Sequence, residues 1–165
     1  MDDILAAKEM RTAIKQGDLK KIRALLSTDK KRLSLMTPFG TWLHVAASFG
    51  KLEIVKYLIS CGMNINAYGG TAGGSALHRA ASDGHIDVVE YLIACGATLD
   101  VSEPERNPLF GAIHNGHTEI AKLLIESGID TRVKYTGESM KDMDALAFAN
   151  EWGRKDIAEL LIKIR

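Results

Sequence analysis

Two stretches decide the reading: Gly50-Lys51-Leu52-Glu53-Ile54-Val55-Lys56-Tyr57-Leu58-Ile59-Ser60-Cys61-Gly62 and Gly84-His85-Ile86-Asp87-Val88-Val89-Glu90-Tyr91-Leu92-Ile93-Ala94-Cys95-Gly96. They are near copies. Gly116-His117-Thr118-Glu119-Ile120-Ala121-Lys122-Leu123-Leu124-Ile125-Glu126-Ser127-Gly128 is a third, Gly153 to Ile162 a fourth, and Gly17 opens a weaker fifth. The gaps between the opening glycines are 33, 34, 32 and 37 residues. Ile54, Val55, Leu58 and Ile59, like Val88, Val89, Leu92 and Ile93, recur at offsets of three and four, so they share one helix face. The closing Gly62, Gly96 and Gly128 suit a left-handed helix end.

Before each opening glycine lies a shorter segment rich in small residues. Its cores are Leu43-His44-Val45-Ala46-Ala47, Leu77-His78-Arg79-Ala80-Ala81, Leu109-Phe110-Gly111-Ala112-Ile113 and Leu146-Ala147-Phe148-Ala149-Asn150. A two-helix unit of this size cannot bury its own apolar face. Stacking several buries a continuous core.

Gly40-Thr41-Trp42-Leu43-His44-Val45-Ala46-Ala47 with Gly50, and Gly74-Ser75-Ala76-Leu77-His78 with Ala80, Ala81 and Gly84, resemble the ankyrin repeat signature, as does Met63-Asn64-Ile65-Asn66-Ala67. The resemblance runs from about residue 5 to residue 165. It implies an all-α repeat solenoid of about five helix–turn–helix units with short β-hairpin fingers, in one domain over 1–165. The expected units are 5–36 as an N-terminal cap, 37–68, 69–102, 103–134, and 135–165 as a C-terminal cap. It also implies a protein-binding module without catalysis or cofactor. Three departures stand out: Lys21 where an aliphatic is usual, Phe110 where the histidine is missing, and a longer loop through Tyr135, Gly137, Met140 and Met143.

Composition agrees with a folded, non-membrane chain. Of 165 residues 46% are apolar, and Lys plus Arg and Asp plus Glu both number 21, giving zero formal charge. A dedicated nucleic-acid binder would show a basic excess, and no apolar run is long enough to span a bilayer. The acidic start, Met-Asp-Asp-Ile-Leu, lacks a secretory leader's pattern, so a cytoplasmic location is expected. Charge is uneven: residues 1–50 carry nine basic against five acidic residues, the rest twelve against sixteen.

Chemistry-bearing motifs fail on spacing. No His-Glu-x-x-His pair and no Cys-x-x-Cys occurs, so no metal site is expected. Cys61 and Cys95 stand one repeat apart, which family geometry makes wider than the ~7 Å limit between disulfide Cα atoms, so both thiols are expected free. Gly69 to Ser75 lacks the lysine and preceding strand of a phosphate loop and reads as a flexible finger. Glu103, Glu105, Asp142 and Asp144 fall in loops or at helix starts, where capping explains Asp144. His44 and His78 are expected to be structural, and His85 and His117 to sit at exposed second-helix starts.

The resemblance places partner contacts on finger tips and the exposed side of the first helices, a concave groove. The candidates are Phe39, Trp42, Ser48 and Phe49; Ala72, Gly73, Ser82 and Asp83; Glu103, Glu105, Arg106, His114 and Asn115; and Met143, Asp144, Glu151 and Trp152. Phe49 and Trp152 precede an opening glycine, a position that normally faces outward, and carry most weight as aromatic anchors. An acidic surface from Asp83 to Glu151 would suit a basic partner. The expected partner is another protein, such as a basic toxin or enzyme, with no nucleic acid, membrane or small-molecule substrate. The last unit looks like small bacterial ankyrin proteins, some of them toxin antidotes, so an inhibitor or immunity role is one expectation and a non-inhibitory scaffold the other.

Overall fold

The computed structural model describes residues 3–71, 73–138 and 140–164, the side chain of Asp3 excepted. Among these residues ten α-helices follow one another without a strand. They are α1 (Asp3–Gln16), α2 (Leu19–Thr28), α3 (Trp42–Ser48), α4 (Leu52–Ser60), α5 (Ala76–Asp83), α6 (Ile86–Ala94), α7 (Pro108–Asn115), α8 (Thr118–Glu126), α9 (Ala145–Glu151) and α10 (Lys155–Lys163). A 3₁₀ turn at Lys30–Ser34 lies between α2 and α3. Each odd-numbered helix packs on the even-numbered helix that follows it.

The opening glycines make the pairs. Gly17, Gly50, Gly84, Gly116 and Gly153 all take positive φ, between 62° and 87°. In each case the next N–H reaches back to an alanine carbonyl one turn inside the helix. The bonds run from Asp18 to Ala13, Lys51 to Ala46, His85 to Ala80, His117 to Ala112 and Arg154 to Ala149, at 2.8–3.0 Å. This is a six-to-one helix stop, and it turns the chain directly into the second helix.

Stacking follows from side-chain size. Ala46, Ala47, Ala80, Ala81, Ala112, Ala145 and Ala149 are essentially inaccessible, and such short side chains let α3, α5, α7 and α9 approach closely. The even helices bury larger groups, Ile54, Val55 and Leu58 in α4 and Val88, Val89 and Leu92 in α6, and pack on one another less intimately. Ile59 and Ile93 lie at the edge of this stripe, only partly buried. Close packing on the odd row and looser packing on the even row curves the stack toward the odd, or inner, helices.

Two sequence expectations change here. Hairpin fingers are reduced, among the described residues, to isolated bridges between Thr37 and Gly40 and between Tyr135 and Met143. Trp42 is not a surface residue. It is fully buried, and its indole N–H donates to the Arg32 carbonyl at 2.7 Å. The first turn of α3 faces the 3₁₀ turn of the preceding unit, so the ring fills that junction instead of reaching solvent.

Candidate functional site

The inner surface is built by hydrogen bonds that cross from unit to unit. His44 Nε2 lies 2.9 Å from the Gly74 carbonyl. A carbonyl only accepts, so Nε2 carries the proton and Nδ1 accepts from the Thr41 N–H and hydroxyl at 3.2 and 2.8 Å. Burial, reinforced by the Arg79 charge, holds His44 below the usual histidine range, which keeps this neutral tautomer. The equivalent His78 is buried as well, which with Arg79 pushes its pKa down to about 4. Its Nε2 faces Ser82 Oγ at 3.4 Å, and its Nδ1 has no partner.

A second row of bonds was not expected. His85 Nε2 donates to the Ser48 carbonyl at 2.8 Å and His117 Nε2 to the Ser82 carbonyl at 3.1 Å. Arg154 Nε donates to the Ile113 carbonyl at 3.0 Å, and its Nη2 reaches the His114 carbonyl. Each residue follows an opening glycine and clips the carbonyl end of the preceding inner helix, where a donor meets orphan acceptors. His85 and His117 are therefore half-buried fasteners, not free surface groups. The signal was present in the sequence, since Lys51, His85, His117 and Arg154 all place a long nitrogen-bearing side chain at this position.

The candidate contact residues separate into groups. Phe39 is 48% exposed, with the Arg11 guanidinium 4.1 Å over its ring. Ser48 donates to Asp83 Oδ2 at 2.6 Å, tying the ends of α3 and α5 together. Phe49 is half-buried against the core, which lowers its weight as an anchor. Ala72 lies outside the described residues, and Gly73 sits at φ 64° in the glycine-rich loop. Glu103 and Glu105 are exposed, whereas Arg106 packs 4.7 Å over the Tyr68 ring. Met143 is held by its bridge to Tyr135, and Asp144 caps α9 through the Ala147 N–H at 2.9 Å. His114, Asn115 and Glu151 are exposed at the ends of α7 and α9.

Trp152 is 45% exposed and meets His114 edge-on, 4.2 Å between ring centroids. Behind it an aromatic row joins the last two units. Phe148 stacks on Phe110 at 4.3 Å, and Phe110 meets Tyr135 edge-on at 5.0 Å. Phe110 stands at the repeat position of His44 and His78 and fills it with a stack on Phe148 in place of an imidazole. Tyr135 donates to the Val101 carbonyl at 2.7 Å and accepts from Asn107 Nδ2 at 3.1 Å, which anchors the long loop.

Two cavities open along the inner helices. One of about 540 Å³ is floored by Phe110, Phe148 and Met140 and rimmed by Glu105, His114 and Asn115. The other, about 250 Å³, lies toward the first units and includes Arg11, Phe39 and Phe49. Arg79 lines both. Exposed Glu103, Glu105 and Glu151 lie along the later units, and Arg11 and Arg79 occupy the earlier ones, before the stretch from Asp83 to Glu151. Sequence reasoning missed Arg79 although it breaks the repeat pattern, standing where Val45, Gly111 and Phe148 stand in the other copies. Among the described residues no group of three His, Cys, Asp or Glu side chains could hold a metal ion.

A family model described as ankyrin repeats, three copies, matches residues 10–103 and again 77–165. The chain belongs to the ankyrin repeat family. Ankyrin repeats are generally protein–protein interaction modules and typically not enzymes. A search of curated proteins finds no match. No helix among the described residues is long and apolar enough to cross a membrane.

Proposed function

We propose that this ankyrin chain binds a partner protein along its inner helices and the loops that precede them, and acts by occupying that partner. One observation carries the reading. The exposed edge of Trp152 and His114 stands beside an open cavity with an apolar floor and a polar rim. That combination is the usual chemistry of an interface anchor. Phe39, Ser82, Asp83, Glu103, Glu105, Asn115 and Glu151 extend the surface, and Met143 and Asp144 shape its last unit. Ser48, Phe49 and Arg106 contribute from its edges.

The specific form we favour is an inhibitor or immunity protein for a toxin or enzyme with a basic surface that meets Glu103, Glu105 and Glu151. In this reading the repeats act as one stack without a catalytic role. Exposed, unpaired Cys61 and Cys95 support a reducing, cytoplasmic setting. The test is binding of a purified partner by Trp152→Ala, with the partner's activity measured in the complex. Truncating the anchor should cost about 2 kcal/mol or more. Partner activity lost in the complex supports inhibition, and full activity makes the chain a scaffold. Unchanged binding by Trp152→Ala refutes the anchor.

A further inference from the structure

The smaller cavity differs in chemistry from the rest of the surface. Its walls are Phe39, Val45 and Phe49, and its polar groups are Arg11, Arg79, Ser48 and the neutral His44, with no carboxylate among its lining residues. Arg11 is exposed and lies over the Phe39 ring. The Arg79 guanidinium makes no hydrogen bond or ion pair among the described residues, and its Nε is buried without an acceptor. A Cβ at Gly70 would come within 2.9 Å of Arg79 Nη2 and 3.1 Å of the Phe39 backbone, so the glycine leaves room for the guanidinium beside that turn. An unmatched guanidinium at the mouth of an apolar cavity is a strong donor set without its acceptor.

We propose that this cavity is a subsite for an acidic side chain of the partner protein, an aspartate or glutamate flanked in its own sequence by an aliphatic or aromatic residue. The proposal rests on the protein-binding reading above and names the chemistry of one part of that surface. The carboxylate takes the guanidinium of Arg79 and the charge of Arg11, and the flanking residue lies against Phe39 and Phe49. About 250 Å³ suits one side chain. A polyanion fits less well. Asp83, held by Ser48 at 2.6 Å, stands beside the cavity and would repel a run of phosphates, whereas a single carboxylate keeps clear of it. The inner surface thus runs from Arg11, through Arg79 shared by both cavities, to an acidic rim, and a partner of matching polarity docks in one direction only.

The test is selection of a random displayed-peptide library on the immobilised full chain, followed by titration of a synthetic consensus peptide. The expected peptides carry Asp or Glu beside an apolar residue. Arg79→Gln and Arg11→Gln should each weaken the consensus peptide by about tenfold, the range of a charge-assisted pair, while Glu119→Gln on the second-helix face leaves it unchanged. Converting the peptide's carboxylate to an amide should cost the same factor, and little more in the Arg79→Gln background. Arg79 supports no other side chain by hydrogen bond, so its variant should melt at the wild-type temperature. Peptides without an acidic residue that still lose affinity on Phe39→Ala would overturn the acidic subsite and leave protein binding intact. Peptides insensitive to every inner-surface substitution would overturn both. Tighter, arginine-dependent binding of the phosphoserine version of the peptide, or of a single-stranded oligonucleotide, would overturn the carboxylate assignment.

Discussion

Gly84→Ala and Gly96→Ala look alike in sequence and should differ in cost. Gly84 ends α5 at φ 87° and Gly96 follows α6 at φ 84°, so each alanine is forced into the left-handed region for about 1 kcal/mol. Their surroundings differ. A Cβ at Gly84 would lie 2.6 Å from His117 Cε1 and 3.0 Å from both ring nitrogens, whereas a Cβ at Gly96 would meet nothing within 4 Å. The imidazole must move, which breaks its bond to the Ser82 carbonyl for about 1 kcal/mol. Crowding at the junction adds about 1 kcal/mol more. The expected losses are therefore about 3 kcal/mol for Gly84→Ala and about 1 for Gly96→Ala. Urea unfolding followed by far-ultraviolet circular dichroism measures both. In a His117→Ala background the Gly84 loss should shrink to the Gly96 value, because the clashing ring is gone. Equal losses at the two glycines, or an undiminished loss without the imidazole, would refute the clip.

Two further outcomes concern buried polar groups. His78 has a folded pKa of about 4 against 6.5 for the free side chain, so folding favours its neutral form. Between these values the unfolded chain binds the extra proton, so stability is full above pH 6.5 and falls as the pH drops toward 4, by up to about 3 kcal/mol. Urea midpoints across that window should drop steeply in the wild type and less in His78→Gln, with His44 supplying the remaining slope. Tyr135→Phe removes a bond to Val101 and leaves the buried Asn107 amide without that partner, for about 2 kcal/mol. Asn107→Ala also removes the α7 cap. The double variant should cost less than the sum of the two in thermal unfolding, as expected for one network.

How much could be read beforehand depended on whether a residue's neighbour was fixed by the repeat. The opening glycines announced every inner helix end, because only a six-to-one stop explains a glycine recurring after Ala-rich segments. His44 and Asp144 were legible for the same reason, as their partners lie within their own unit or at a repeated position. The clips were misjudged because their acceptors belong to the unit before, and a helix pattern gives a side chain's face but not what stands opposite. Trp42 was misplaced because its repeat position carries no partner in the pattern, and the 3₁₀ turn at Lys30–Ser34 supplies one. Tyr135 and Arg79 fall where the period lapses, in a loop of unusual length and at a position that differs in every copy. Those lapses are also where the two cavities acquire their separate chemistry.

The clips lie along one line only. The third, fourth and fifth units each fasten to the inner helix before them, while α4, α6 and α8 run out at Gly62, Gly96 and Gly128, where an added Cβ would meet nothing within 4 Å. Flexing about that line spreads or gathers the outer row and need break none of the carbonyl bonds. The width of the hollow is therefore a compliant coordinate, like the opening of a leaf spring pinned along its inside edge, and a guest can set it without loosening the joints.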